Sequence, residues 1–348
     1  AALAAANVLY ENYTSDQGLD PSGAAKQAAL DSAAANGYAN DKVNSVVTVN
    51  IPPTSGEFKG KAEYVEVIIQ WNLQGGFSAA LNRKNIVAKA RSVARGRPDP
   101  VGMVVLAPSG AGTLVNKSTV MALVGSLYVN SSDPDAFEQK SPGILVVDGL
   151  EITGGYNNSG GALILGQIDT GVRPVLDPLR NIVAPNPAAY PVQSNAPLKI
   201  NTLIPKVLSP GVYKGGISIS GLSVVTMLPG VYIMDGGGFK VFGAASVVGV
   251  GTVIYNTSGS FPAGSVSIAS LGKVALIAPW NGTYKGIGIF QDRALNNAMT
   301  ITGNGLSTIV GVIYARAAAV QLNGAAAVGV DTLGGAYVCD TLTIGGIG

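Results

Sequence analysis

From Val101 onward the chain is written in short alternating apolar runs closed by Gly, Pro, Asn or Ser. Examples are Gly102-Met-Val-Val-Leu106, Ser126-Leu-Tyr-Val-Asn130, Gly143-Ile-Leu-Val-Val147 and Leu150-Glu-Ile-Thr-Gly154. Such alternation predicts strands, because successive side chains of a strand point to opposite faces. The runs also repeat. Pro210-Gly211-Val212-Tyr213 returns nineteen positions on as Pro229-Gly230-Val231-Tyr232, and a third version ends at Gly251-Thr-Val-Ile-Tyr255. Ile217-Ser-Ile-Ser-Gly221 and Phe239-Lys-Val-Phe-Gly243 lie twenty-two apart. Met299-Thr-Ile-Thr-Gly303, Val320-Gln-Leu-Asn-Gly324 and Leu342-Thr-Ile-Gly345 space their glycines by twenty-one, then twenty-one. A strand-based period of ~20–25 residues without helical pattern predicts a solenoid, whose coils bury their apolar faces only by stacking. The expected fold of residues 98–348 is a right-handed parallel β-helix.

One segment breaks the rhythm. Residues 172–197 carry six prolines and cannot lie inside a parallel sheet. They are expected to run along the outside of the coils and to be the segment that faces a partner. Shorter excursions are expected at 256–264 and 278–284.

Residues 1–97 follow a different pattern. Leu3, Ala6 and Tyr10 share a helical face, and Asp20-Pro21-Ser22 starts a second Ala-rich helix over Ala24 to Ala35, stopped by Asn36-Gly37. Val43 to Ile51, Tyr64 to Trp71 and Ile86 to Ala94 alternate as strands. These elements predict a small α+β domain, and Pro98-Asp99-Pro100 marks its boundary with the solenoid.

Composition narrows the chemistry. Of 348 residues, 47% are hydrophobic and only 12% charged, with 47 glycines. So little charge suits faces that meet other protein, either neighbouring coils or neighbouring subunits. The balance of 22 basic and 20 acidic residues gives no general case for nucleic acid. There is no histidine, which excludes His-based triads, His metal sites and His pH switches. The single cysteine, Cys339, excludes an intrachain disulfide and reads as a buried small hydrophobe. Gly236-Gly237-Gly238 lacks the Lys and Ser/Thr of a phosphate loop, so no cofactor is expected. No run reaches the ~20 apolar residues of a membrane span. Because the chain begins at Ala1 rather than Met, an upstream segment is expected to have been cleaved or left out.

Many β-helices act on polysaccharide, which takes two carboxylates across the scissile bond, and no Asp-Asp pair stands in the sequence. Asp148, Asp235 and Asp292 each sit at a turn, where Asp bonds nearby backbone. Asp292, Arg293 and Arg316 are expected to approach one another across coils as a structural ion pair. The only basic concentration runs from Arg83 to Arg97. Its Lys89, Arg91 and Arg95 read as a solvated strand face or as a contact for an anionic polymer or membrane surface. Asparagine sequons stand at Asn12, Asn116, Asn130, Asn157, Asn256 and Asn281.

Ala33-Ala-Ala-Asn-Gly37, the Val47-to-Pro53 strand, Tyr64-Val-Glu-Val-Ile68 and Val87-Ala-Lys-Ala-Arg-Ser-Val-Ala-Arg95 resemble the TadE/TadG-like family of bacterial tight-adherence (Flp) pilus-assembly proteins. Ser209-Pro-Gly-Val-Tyr213, Asp235-Gly-Gly-Gly-Phe239, Phe290-Gln-Asp-Arg293 and Ile301-Thr-Gly-Asn304 resemble phrases of its long members. The resemblance implies a pseudopilin-like N-terminal domain, an N-terminal anchor and an extracellular or cell-surface location. The expected function is a noncatalytic structural subunit, pilus-associated or self-assembling into a filament, with pilus or envelope components as further partners. The expected interface pairs Leu3, Val8, Leu9 and Tyr10 of one copy with the open final coil of another, at Ile344 and Ile347. The alternative is a β-helix that binds or cleaves surface carbohydrate.

Overall fold

The structure, a computed structural model, describes residues 1–74, 85–97, 101–123, 125–303, 307–325 and 336–347. The chain divides into two units, Ala1–Asp99 and Pro100–Gly348.

Alanine sets the packing of the first unit. Helices Ala2–Glu11 and Ala24–Ala35 bury Ala2, Ala5, Ala6 and Leu9 against Ala25, Ala29 and Ala33. Small side chains allow close approach but bury little area each. The Asp20 carboxylate accepts the N–H groups of Ala25 and Lys26 at 3.0 and 2.9 Å, satisfying donors that a helix start leaves unpaired. Beneath the helices lies an antiparallel sheet of Ser45–Asn50, Tyr64–Gln74 and Asn85–Arg95, which supplies Val47, Val65 and Val67 to the same core. Leu9 is 2% exposed and packs against Gly96, where an added Cβ would stand 2.5 Å from the Leu9 Cβ. Leu9 and the partly buried Val8 therefore face their own domain and leave the expected interface. Leu3 and Tyr10, on the opposite side of the helix, are exposed.

The second unit is a parallel β-solenoid of about ten turns. Its coil order departs from the order of the chain. Residues 101–170 build a first arm, in which Val101–Val105 pairs with Ser126–Val129, that strand with Ile144–Ile152, and that one with Leu163–Thr170. Residues 192–347 build a second arm. It passes from Val192–Ser194 through Gly211–Lys214, Gly230–Asp235, Thr252–Thr257, Ile287–Gln291 and Val312–Ala325 to Tyr337–Ile347. Tyr337–Ile347 then pairs with Val101–Val105 and Leu114–Asn116, placing Val338 beside Val104 and Leu342 beside Leu114. The last coil thus lies inside the stack, against the first. The stack ends instead at Leu163–Thr170 and at the coil opened by Val192–Ser194.

The core runs through this joint unbroken. Met299, Val320, Leu342, Leu114 and Phe137 form one inward file in register, each at most 1% exposed. The expectation that the final coil is an open end is corrected accordingly. Ile344 pairs with Leu322 on one side and Asn116 on the other, while Ile347 pairs with Ala325 and its side chain lies outside the described residues. The apolar cross-section of the last coil meets its own first coil, so it has no need of a neighbour.

Residues 171–191 bridge the two ends, and we call them the strap. At ~3.3 Å per residue they reach up to ~66 Å, whereas ten coils at ~4.8 Å rise ~48 Å. A step to an adjacent coil needs a tenth of that length. The glycine-rich corner at 236–238 has a separate role. Gly238 takes φ +77, and a Cβ there would stand 2.1 Å from the carbonyl oxygen of Ser265, so the corner is a close backbone approach between coils.

Candidate functional site

A connected group of polar side chains lies beneath the strap. One outward file, Val212, Ile233, Tyr255, Phe290, Tyr314, Val338 and Val104, continues in register from the second arm into the first. An outward file should be wet, yet these residues are at most 3% exposed. Val175, Leu179, Ile182, Ala184 and Tyr190 of the strap pack over them.

Polar groups fix the strap in place. Arg293 lies over the rings of Phe290 and Tyr314, at 5.3 and 5.5 Å to the centroids, and those rings stack at 4.8 Å. Its Nη2 donates to the carbonyls of Leu179 and Ile182, each at 2.7 Å, and its Nε donates to the Tyr314 hydroxyl at 2.9 Å. Tyr314 donates in turn to Asp177 Oδ2 at 2.6 Å. Burial, reinforced by that bond to a carboxylate, pushes the Tyr314 phenol well above its ordinary 10.0. Tyr284 donates to the carbonyl of Val183 at 3.1 Å. From the first arm, the Asn130 amide takes both backbone groups of Val175, at 2.8 and 2.9 Å. Both arms therefore grip the strap.

The expected Asp292–Arg293–Arg316 group is taken apart by this geometry. Asp292 accepts from Tyr255 at 2.6 Å, Arg293 serves the strap, and Arg316 pairs at 3.8 Å with Asp177. The sequence offers Asp177 only as one carboxylate among several, with no partner, and its separation of 137 residues from Tyr314 explains why. Three other acids serve backbone. Asp148 accepts from Gly125 N–H across coils, Asp235 from Ser260 N–H, and Asp133 from Asp135 N–H. Among the described residues no three Asp, Glu or Cys side chains converge in a metal-binding group. Cys339 is fully buried, and burial pushes its thiol far up.

The basic strip of the first unit is largely neutralised from within. Arg91 Nε pairs at 2.6 Å with Glu66, which is fully buried, and its Nη2 donates to the Ser55 carbonyl. Arg95 and Arg97 both pair with Glu63 at 3.4 Å. What is left for the expected anionic contact is Lys89, which is exposed and has no ion pair among the described residues, together with Arg95 and Arg97, two cations that share the single carboxylate of Glu63. Arg83 and Lys84 lie outside the described residues. Three sequons are closed to decoration in the folded chain, since Asn116, Asn130 and Asn256 are buried, while Asn12, Asn157 and Asn281 are exposed. A surface depression of about 240 Å³ is lined by Pro197, Lys199, Gly216, Ser218, Gly237 and Lys240 among others.

No helix among the described residues is long and apolar enough to cross a membrane. Comparison of the chain with protein-family models, with curated proteins and with solved structures finds no match.

Proposed function

We propose that this chain is a noncatalytic structural subunit that assembles with copies of itself through the free coil edges of its solenoid. The observation that carries the reading is the contrast between interior and ends. In the twenty-stranded sheet the successive strands from Gly211–Lys214 to Ile144–Ile152 that follow the outward file have partners on both sides. By contrast, Leu163–Thr170 at one end and Val192–Ser194, Leu198–Ile200 and Lys206–Leu208 at the other are paired on one side only, among the described residues. On the third face Val120–Ala122 and Thr308–Val310, inside the stack, are also paired on one side only, among the described residues. Unpaired strand edges bind further strands. The polar groups that looked like candidate chemistry are occupied in holding the strap.

A pilus-associated, extracytoplasmic setting, a pseudopilin-like role for the first unit, and a right-handed coil belong to the same proposal. They rest on the resemblance to the TadE/TadG-like family and on the usual hand of parallel crossovers. Electron microscopy of purified chain tests the assembly. Fibres or layers are expected, and dispersed single particles at high concentration would remove the reading. The depression with Lys199, Ser218 and Lys240 supports a second reading, a site for acidic surface carbohydrate. Binding of uronic-acid oligosaccharide that is lost in Lys240→Ala would favour it.

A further inference from the structure

We infer that the two free ends of the solenoid are complementary to each other, so that the partner at each end is a second copy of this chain joined head to tail. This rests on the assembly reading above and adds its direction and its chemistry.

Charge is segregated along the stack. Residues 192–227, the two coils at one end, contain Lys199, Lys206 and Lys214 and no acidic residue. Residues 144–170, at the other end, contain Asp148, Glu151 and Asp169 and no basic residue. The three lysines have no ion pair within the chain among the described residues. Lys199 and Lys206 are exposed. Exposed aliphatic side chains accompany the charges on both edges: Leu163 and Leu165 at the acidic end, Val192 and Val207 at the basic end.

The ladder geometry permits an end-on contact. Every pairing in the stack is parallel, so a copy placed end-on continues the same ladder. The outward file that closes with Glu151 and Asp169 at one end begins with Val192 and Val212 at the other, so an added coil sets Asp169 beside Val192. The lysines of Leu198–Ile200, Lys206–Leu208 and Gly211–Lys214 act from neighbouring strands and not as direct cross-coil pairs. Joining two like ends would oppose three charges of one sign, which disfavours a two-fold dimer. Joining unlike ends gives a heterologous contact, and such a contact propagates into an open chain when its rotation does not close. Because the charges lie at the surface, the contact weakens as salt shortens the screening length.

The test is a charge swap on the full chain, followed by sedimentation velocity and light scattering. One variant carries Lys199→Glu, Lys206→Glu and Lys214→Glu; the other carries Glu151→Lys and Asp169→Lys. Wild type is expected to associate at low salt and to weaken about tenfold or more on moving to 0.5 M salt. Each variant alone is expected to stay monomeric, because its two ends now carry the same sign. An equimolar mixture is expected to re-form chains of alternating copies. If wild type assembles but a single variant assembles equally well, or the mixture stays monomeric, this inference is overturned and the assembly reading stands. If wild type is monomeric at every salt, both are overturned. Circular dichroism checks folding, and the lighter pair Lys199→Glu and Asp169→Lys gives the same mixing test should a multiple variant unfold.

Discussion

Val338 of the last coil and Val104 of the first lie side by side in register, although 233 intervening residues include the whole second arm. Their neighbours follow suit, with Cys339 beside Val105 and Leu342 beside Leu114. Closing so long a loop is entropically cheap per added residue, since the cost grows only with the logarithm of length. Burying each large apolar side chain contributes about 1.5–3 kcal/mol. The joint thus stabilises both arms, and it removes the chain terminus from the solenoid's ends.

The strap is expected to be the part that fails first when its clasp is weakened. Tyr314→Phe deletes the hydroxyl that links Arg293 to Asp177 and leaves a buried carboxylate short of a donor. The expected loss is about 1–3 kcal/mol, with faster proteolysis between Arg173 and Pro191 before the coils are cut. Limited proteolysis read by mass spectrometry checks this, and unchanged cleavage would show that the clasp does not hold the strap.

The basic strip makes a sharper distinction between neighbours than its composition allowed. Lys89→Glu is expected to leave thermal stability of the first unit within about 0.5 kcal/mol, as for an ordinary surface change. Arg91→Glu removes the partner of buried Glu66 and adds a like charge beside it, an expected loss of about 3–5 kcal/mol. Equal effects from the two variants would contradict the ion-pair geometry.

Stability against pH is expected to fail at opposite limits in the two units. Burial of Glu66 would raise its carboxyl, but donors from Ser55, Asn50, Arg91 and Thr54 outweigh it and hold the group far below its ordinary 4.5. Asp41 falls from 3.8 to about 2 through the N–H groups of Ser45 and Val43. Both bind protons more weakly when folded. Their contribution is complete above about pH 4.5 and is lost as pH falls through the folded values. In the solenoid, burial raises Tyr213 from 10.0 to about 12 and raises Tyr232, Tyr255, Tyr314 and Tyr337 as well. These phenols hold protons more tightly when folded, so their contribution is complete below pH 10.0 and is lost as pH rises beyond it, at about 1.4 kcal/mol per pH unit for each. With no histidine, a flat plateau is expected from about pH 4.5 to about pH 9, where the buried Cys339 thiol, also raised from its ordinary 9.0, begins to lose its contribution ahead of the phenols. Trp71 fluorescence in a Trp280→Phe background reports the first unit, and far-ultraviolet circular dichroism the solenoid. Acid melting of the solenoid ahead of the first unit would refute the assignment.

The repeats made the solenoid legible, but for a local reason. Tyr213 donates to the Ser209 carbonyl at 2.6 Å and Tyr232 to the Leu228 carbonyl at 2.8 Å, each four residues back across a Pro-Gly corner. The Pro-Gly-Val-Tyr phrase therefore encodes a corner and not a stacking register; Gly211 pairs with Tyr232, and Val212 with Ile233. Tyr255, in the third version, faces outward under the strap instead. The glycine spacing holds for its first step, Gly303 beside Gly324, and slips by one at its second, where Gly324 pairs with Gly346 and Gly345 with Asn323. Coil order was not legible, because Leu342 meets Leu114 with the same kind of apolar cross-section that any coil offers its neighbour. One signal did point to it. Residues 171–191 are far too long for a step between adjacent coils. The clasp was half legible: Arg293 and Arg316 stood out as a pair of cations, but nothing joined them to Asp177, far away in the Pro-rich segment.

The placement of the last coil against the first is the claim on which the free ends depend. Thr343 and Val115 are outward neighbours across the joint, so Thr343→Cys with Val115→Cys, in a Cys339→Ser background, tests it directly with a short thiol cross-linker. The predicted result is a peptide joining positions 115 and 343 within a product of monomer mass, formed in high yield on folded protein and lost after denaturation. Absence of that intramolecular link, or its appearance only in dimers, would contradict the account and return the C-terminal coil to an end of the stack.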